Sequence, residues 1–295
     1  MRRGIVLVLA LAGGVAVAGG ALALWPIGAP VALDALDGDA QRGAYLARAG
    51  GCIACHSDPG SGRPALTGGA AIETGFGRFV PPNITPHPGA GIGAWSIEDF
   101  ARALRQGIAP DGSPYYPAFP YPFYGGLSDQ DIADLWAAFQ TVPAQDMAAE
   151  GHAIRFPFNL RPGLKLWRAA YADGPPAQPD PERTDAWNRG RWLVNGLAHC
   201  GACHTDRNML GGRKPGRHLA GSDDLPGGGR APALTPAALG QAGWDAHALA
   251  FALKSGVKPD GDTFGGGMGE VVRHGTAWLR PDDRAAIAAY LLEGE

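Results

Sequence analysis

One five-residue pattern, present twice, constrains this chain more than anything else in it. Cys52-Ile53-Ala54-Cys55-His56 and Cys200-Gly201-Ala202-Cys203-His204 both read C-x-x-C-H, and together they use all 4 cysteines of the 295 residues. Two thiols three positions apart can form thioether bonds to the two vinyl groups on one edge of a porphyrin. The adjacent imidazole is then held under the iron. A shared four-cysteine zinc site wants its pairs about 15–20 residues apart, whereas 144 residues lie between Cys55 and Cys200. A thioredoxin-like dithiol calls for a βαβ context that the flanking sequence lacks. The pattern predicts two covalently bound haem c groups, attached at Cys52, Cys55, Cys200 and Cys203, with His56 and His204 as proximal iron ligands.

The chain repeats around these motifs. Residues 95–119 align without a gap on residues 244–268 at an offset of 149, with 8 of 25 positions identical. The identities include Trp95/Trp244, Gly107/Gly256 and the Pro-Asp-Gly runs at 110–112 and 259–261. Self-similarity of this length means one unit made twice. Each copy reads as helical. Ser96 and Asp99 form a capping box for a helix that Gly107 closes. Ser128 and Asp131 open another, with Ile132, Leu135, Trp136 and Phe139 on one face. In the second copy Pro281 suits a first helical turn, and Ile287, Tyr290 and Leu291 form the matching stripe. Arg42-Gly43-Ala44-Tyr45 and Arg189-Gly190-Arg191-Trp192 precede the two motifs. Their glycines would let the first and last helices of a copy cross closely, with the aromatic packing beside the crossing.

Residues 4–25 carry no charge and follow Arg2 and Arg3. As a helix, these residues would run about 33 Å, enough to cross a hydrocarbon core of ~30 Å. Basic residues before such a run keep the N-terminus cytoplasmic and send the rest outward. Either this segment is a membrane anchor, or it is a signal peptide cut near Ala21-Leu22-Ala23. Both readings place the bulk of the chain on the periplasmic side. The expected organisation is an anchor or signal segment at 1–25, copies at 36–142 and 184–295, and a Pro-rich connector at 143–183. Within the connector, residues 156–162 are the more apolar part and are expected to pack against the copies, while 172–183 reads as linker. Net charge is −3 and only 4 of the 25 basic residues are Lys, so no basic stripe for nucleic acid is present.

Further residues carry a family resemblance: Asn83-Ile84-Thr85-Pro86, Gly91-Ile92-Gly93-Ala94-Trp95-Ser96, Tyr116-Pro117-Ala118-Phe119-Pro120-Tyr121, Leu127-Ser128-Asp129, Arg207-Asn208 and Met268-Gly269-Glu270-Val271-Val272. On these, residues 39–295 resemble the di-haem and tri-haem cytochromes c, best known as the cytochrome subunits of membrane-bound alcohol, sugar-acid and aldehyde dehydrogenases. The resemblance implies an all-α fold of two tandem class I cytochrome c domains, each wrapped around one haem, after an N-terminal membrane helix. It also implies electron transfer from a dehydrogenase partner to quinone, an oxidase or another cytochrome.

A Met on the distal iron face is usual for such domains. Met268, 64 residues after His204, matches the distal Met of the family. The first copy departs: the repeat register puts Phe119 there, 63 residues after His56, and no Met lies between the first motif and residue 146. Leu127, a few residues on, is also apolar. Three readings follow for the first iron. It is five-coordinate or weakly hydrated, or Met147 swings back from the connector, or another residue binds, with His87, His152, Tyr115, Tyr116, Tyr121 and Tyr124 as candidates. The expected function is therefore electron relay. The rivals are a peroxidase-like or small-ligand-binding protein using an open first haem, and a di-haem subunit of a terminal oxidase.

Overall fold

The computed structural model describes residues 13–14, 19–22, 24–34, 36–172 and 178–295. Most of the apolar N-terminal run, expected as anchor or signal segment, lies outside the described residues, as does part of the linker at 172–183. Among the described residues, no helix is long and apolar enough to cross a membrane.

The first copy is built from α1 (Ala40–Ala49), α2 (Cys52–His56), α3 (Ile97–Gln106), α4 (Tyr121–Tyr124) and α5 (Asp129–Gln140). The connector carries α6 (Gly163–Tyr171). The second copy follows with α7 (Asp185–Trp192), which runs into a π-type turn at Leu193–Leu197, then α8 (Gly201–His204), α9 (Pro236–Gln241), α10 (Ala246–Ser255), α11 (Gly266–His274) and α12 (Pro281–Glu293). Local chemistry sets these limits. Ser96 and Asp99 cap α3 reciprocally, and Ser128 and Asp131 do the same for α5, each satisfying otherwise orphaned N–H groups. Gly107 ends α3 in the left-handed conformation, and Pro281 occupies the first turn of α12.

In each copy the first and last helices cross, α1 on α5 and α7 on α12. A Cβ on Gly43 would stand 1.8 Å from the carbonyl oxygen of Asp134, and one on Gly190 would stand 2.0 Å from that of Ala286. The backbones therefore touch where the two glycines lie. Beside each crossing an arginine meets a buried carboxylate. Arg42 pairs with Asp131 and Asp134, and Arg189 grips both oxygens of Asp283 at 2.7 and 2.9 Å. Burial alone would raise the pKa of Asp134 and Asp283. Donors outweigh it: the Asp39 N–H, Gln130 and Arg42 in one case, Arg189 and Tyr45 in the other, so both carboxyls sit below their ordinary value.

The aromatics after the glycines do more than pack beside the crossing; they reach into the opposite copy. The Tyr45 hydroxyl donates to Asp283, and the Arg280 guanidinium lies 4.8 Å over the Tyr45 ring. Trp192 Nε1 points at the carbonyl of Gly126 at 3.5 Å. One apolar core runs through both copies, from Leu46, Phe100 and Leu135 to Leu193, Ile287 and Leu291.

Two expectations need correction. The fold is mostly helical but not all-α. Strands β1 (Ile72–Thr74), β2 (Gly77–Phe79) and β3 (Ala153–Ile154) form a small antiparallel sheet with β2 in the centre, pairing Ile72 with Phe79 and Gly77 with Ile154. Strands of two or three residues are too short to show alternation in sequence. Residues 156–162 also pack less than expected. Phe158 meets Phe76 edge-on at 4.8 Å and Arg161 donates to the carbonyl of Pro114 at 3.0 Å, but Phe156 remains 77% exposed.

Gly190→Ala is expected to cost about 2 kcal/mol or more, because overpacking there forces two backbones apart. Gly240→Ala, where a Cβ meets nothing within 4 Å, is expected to be neutral or slightly stabilising. Thermal melts of the two holoproteins check this pair. Asp283→Asn is expected to cost about 2–3 kcal/mol at neutral pH. Because the folded pKa of Asp283 lies below the unbound value of 3.8, its contribution is complete above that value and is lost as pH falls through the folded pKa. Denaturation at a series of pH values should show the deficit of the variant shrinking only in strong acid.

Candidate functional site

Each C-x-x-C-H motif forms a single helical turn, α2 or α8, placed shortly after the crossing helix of its copy. The residue before each motif is left-handed, Gly51 at φ 70° and His199 at φ 39°. In both copies the first cysteine is half-buried and the second exposed, and none of the four is joined in a disulfide. Burial, with a smaller push from the second thiol of the motif, raises Cys52 and Cys200 to about 12. Among the described residues, no group of three or more His, Cys, Asp or Glu converges as a metal cage.

The two histidines are oriented identically. His56 Nδ1 lies 2.7 Å from the carbonyl oxygen of Pro82, and His204 Nδ1 lies 2.8 Å from that of Pro232. A carbonyl accepts only from a protonated nitrogen, so Nδ1 carries the hydrogen and the Nε2 lone pair remains for a metal. Burial lowers both imidazole pKa values, opposed by the carbonyl contact. Each motif thus offers two thiols and one correctly tautomeric imidazole from one helical turn, a donor set that fits covalent haem.

A clamp that sequence reasoning missed holds each turn against its proline-bearing wall. The hydroxyls of Ser57 and Thr205, next in sequence after the histidines, accept from the N–H groups of Leu66 and Leu219 at 3.1 and 3.0 Å. The carbonyls of these leucines accept from Ile84 and Leu234, two residues beyond Pro82 and Pro232. Both leucines are left-handed, at φ 66° and 53°, a conformation costing an L-residue roughly 1–2 kcal/mol. The same strain appears in both copies because the same three segments must meet. The signal was present as Leu-x-Gly at 66–68 and 219–221 and as Pro-x-Ile/Leu at 82–84 and 232–234, repeats too short to stand out unaided.

The wall on which the two copies differ carries Phe119 in the first. Its ring sits among Tyr115, Tyr121 and Tyr124 at 5.7, 6.4 and 5.9 Å. Tyr124 continues to the motif, donating its hydroxyl to the Gly50 carbonyl at 2.6 Å. The Tyr116 hydroxyl is taken by the Phe158 carbonyl at 3.2 Å. His152 Nδ1 accepts from the Val80 N–H and His87 Nδ1 accepts from the Ala90 N–H, so both rings are turned toward backbone. Asn83, the neighbour of Pro82, holds the Met147 carbonyl at 3.0 Å. That contact ties Met147 to the wall that receives the His56 proton. In the second copy Met268 is half-buried on α11, which begins just after the stacked pair Trp244–Phe264.

The segments ahead of the two motifs are neighbours: a Cβ on Gly51 would stand 3.1 Å from His199 Cε1. Helix α11 packs against α2, and α4 packs against the Leu193–Leu197 turn, so each copy walls the motif region of the other.

Two covalent attachment turns inside a duplicated helical fold define a di-haem c-type protein. The cytochrome c family profile matches residues 40–139 and 188–295, and the chain belongs to that family. It carries two covalently bound haem c groups and transfers electrons. It is 46% identical to a diheme cytochrome c-type protein of Cereibacter sphaeroides, over 99% of this chain and 98% of the relative. It is 41% identical to the fructose dehydrogenase cytochrome subunit of Gluconobacter japonicus and 40% identical to the gluconate 2-dehydrogenase cytochrome c subunit of Pantoea cypripedii. Both matches cover 85% of the chain, which spans only 51% and 58% of those two proteins.

Proposed function

We propose that this chain relays electrons on the periplasmic side of a bacterial inner membrane, from a dehydrogenase partner toward quinone, an oxidase or another cytochrome. The apolar run at 4–25 serves as its anchor, or directs export if cleaved. The cytochrome subunits among its relatives support the dehydrogenase as donor. The observation that carries the relay reading is the meeting, across one continuous core, of the segments ahead of the two motifs, with Gly51 against His199 and Gly50 against Leu197.

In this reading Cys52 and Cys55 hold the first haem and Cys200 and Cys203 the second, while His56 and His204 ligate iron through Nε2. The iron supplies the one-electron chemistry; the protein sets ligation, burial and position. The Pro82 and Pro232 carbonyls keep each imidazole in one tautomer and make it a stronger donor. The leucine clamps hold the histidine turn against that carbonyl. Met268, half-buried on α11, would supply a thioether to the iron of the second haem and so close that site to added ligands. Phe119, in register with Met268 and set in a nest of tyrosine rings, could supply no such ligand to the first haem. An open first site also accommodates a second reading, binding of a small diatomic ligand there.

Pyridine haemochrome assay of the full chain should give two haems, and the Cys200→Ala/Cys203→Ala variant at most one. Retention of two in that variant would overturn the attachment assignment. Carbon monoxide should bind the fully reduced protein at one haem per chain, and at two in Met268→Ala. No binding to the parent would mean that the first iron has a strong sixth ligand, leaving relay as the only reading.

A further inference from the structure

The position before each attachment motif is left-handed in both copies, yet the residues differ. Gly51 adopts φ 70° freely, while His199 is held at φ 39°, a region that costs a residue with a side chain and favours glycine. The backbone requirement alone does not explain an imidazole there. Its surroundings do. The Nδ1–H of His199 donates to the Leu197 carbonyl at 3.0 Å, which pins the ring and turns its other edge outward. That edge lies on Gly51: a Cβ built there would be 3.1 Å from His199 Cε1 and 3.7 Å from Nε2. Glycine in the first copy is what makes room for histidine in the second.

The ring is enclosed by the opposite copy. Tyr124 meets it edge-on at 5.8 Å and Phe123 lies at 6.0 Å. Tyr124 in turn donates to the Gly50 carbonyl at 2.6 Å. Leu197 Cδ1 would be 3.0 Å from a Cβ on Gly50. The segment ahead of Cys52 and the segment ahead of Cys200 therefore meet through one side chain, covalently one residue from Cys200 and in contact with the residue before Cys52.

We propose that the His199 ring couples the two haem sites, filling the contact between the segments ahead of Cys52 and Cys200 and carrying electron exchange between them. This rests on the attachment assignment above. Electron tunnelling decays less through bonded and packed atoms than across a gap, and the His199 ring fills the space between its own segment and Gly51. In each exchange one iron passes from ferrous to ferric as the other passes from ferric to ferrous. No bond or proton moves, and the imidazole keeps its Nδ1 hydrogen.

The test uses the full-length di-haem protein and the variants His199→Gly and His199→Phe. Glycine copies the first repeat and relieves the backbone while emptying the contact; phenylalanine keeps a ring. A haem count on each variant checks the attachment reading separately. Inter-haem re-equilibration after pulsed photoreduction should slow severalfold in His199→Gly and stay near the parental rate in His199→Phe. A parental rate in His199→Gly, or equal slowing in both, would overturn the proposal. Should His199→Gly fail to load two haems, His199→Asn, also at ease in the left-handed region, replaces it with the same criteria. A readout independent of electron flow is the nuclear Overhauser contact between His199 Hε1 and the Gly51 α-protons in the reduced parent. Its absence would remove the contact on which the proposal stands.

Discussion

The close crossing of the first and last helices in each copy is the constraint from which the rest follows. Gly43 and Gly190 bring α1 onto α5 and α7 onto α12 at backbone contact. The attachment turn begins shortly after α1 in the first copy, and after α7 through the Leu193–Leu197 turn in the second. The crossing therefore fixes where each histidine starts. Its direction is fixed by the Pro82 or Pro232 carbonyl, brought into range by the strained leucine clamp. Strain at Leu66 and Leu219 and the loss of side chains at the glycines are local costs, offset by a shared core that neither copy completes alone.

The duplication also explains the interface. Three contacts join the copies: Tyr45 reaches Asp283, Trp192 reaches Gly126, and Gly51 faces its counterpart His199. Asp283 serves both levels at once, closing its own crossing through Arg189 and the domain contact through Tyr45. Fold stability and the relative placement of the two redox centres are thus linked through one carboxylate.

The two copies have diverged at the distal wall while the proximal wall is unchanged. His56 and His204 share one geometry in their carbonyl contacts, at 2.7 and 2.8 Å. Phe119 and Met268 share a register but not a chemistry. In the proposed reading an aromatic nest would face one iron and a thioether the other, and axial ligation and burial are the levers that set a haem potential.

Much of this was legible without coordinates. The two covalent haem c groups followed from C-x-x-C-H because the chemistry of two vinyl groups and one iron needs that spacing. The duplication followed from the 149-residue offset, and the limits of α3, α5 and α12 from capping and proline chemistry, which act within four residues. The close crossings were readable because only glycine admits such contact. Tertiary structure alone decided what depends on residues far apart in sequence: the Pro82 and Pro232 carbonyls as histidine partners, the Ser57–Leu66 and Thr205–Leu219 clamps, the β3 strand completing a sheet begun at Ile72, and the tether of Met147 to Asn83. The meeting of Gly51 with His199 belongs with them. Local patterns are set by nearest-neighbour sterics and hydrogen bonding, whereas these contacts exist only once two packed helix pairs have brought distant segments together.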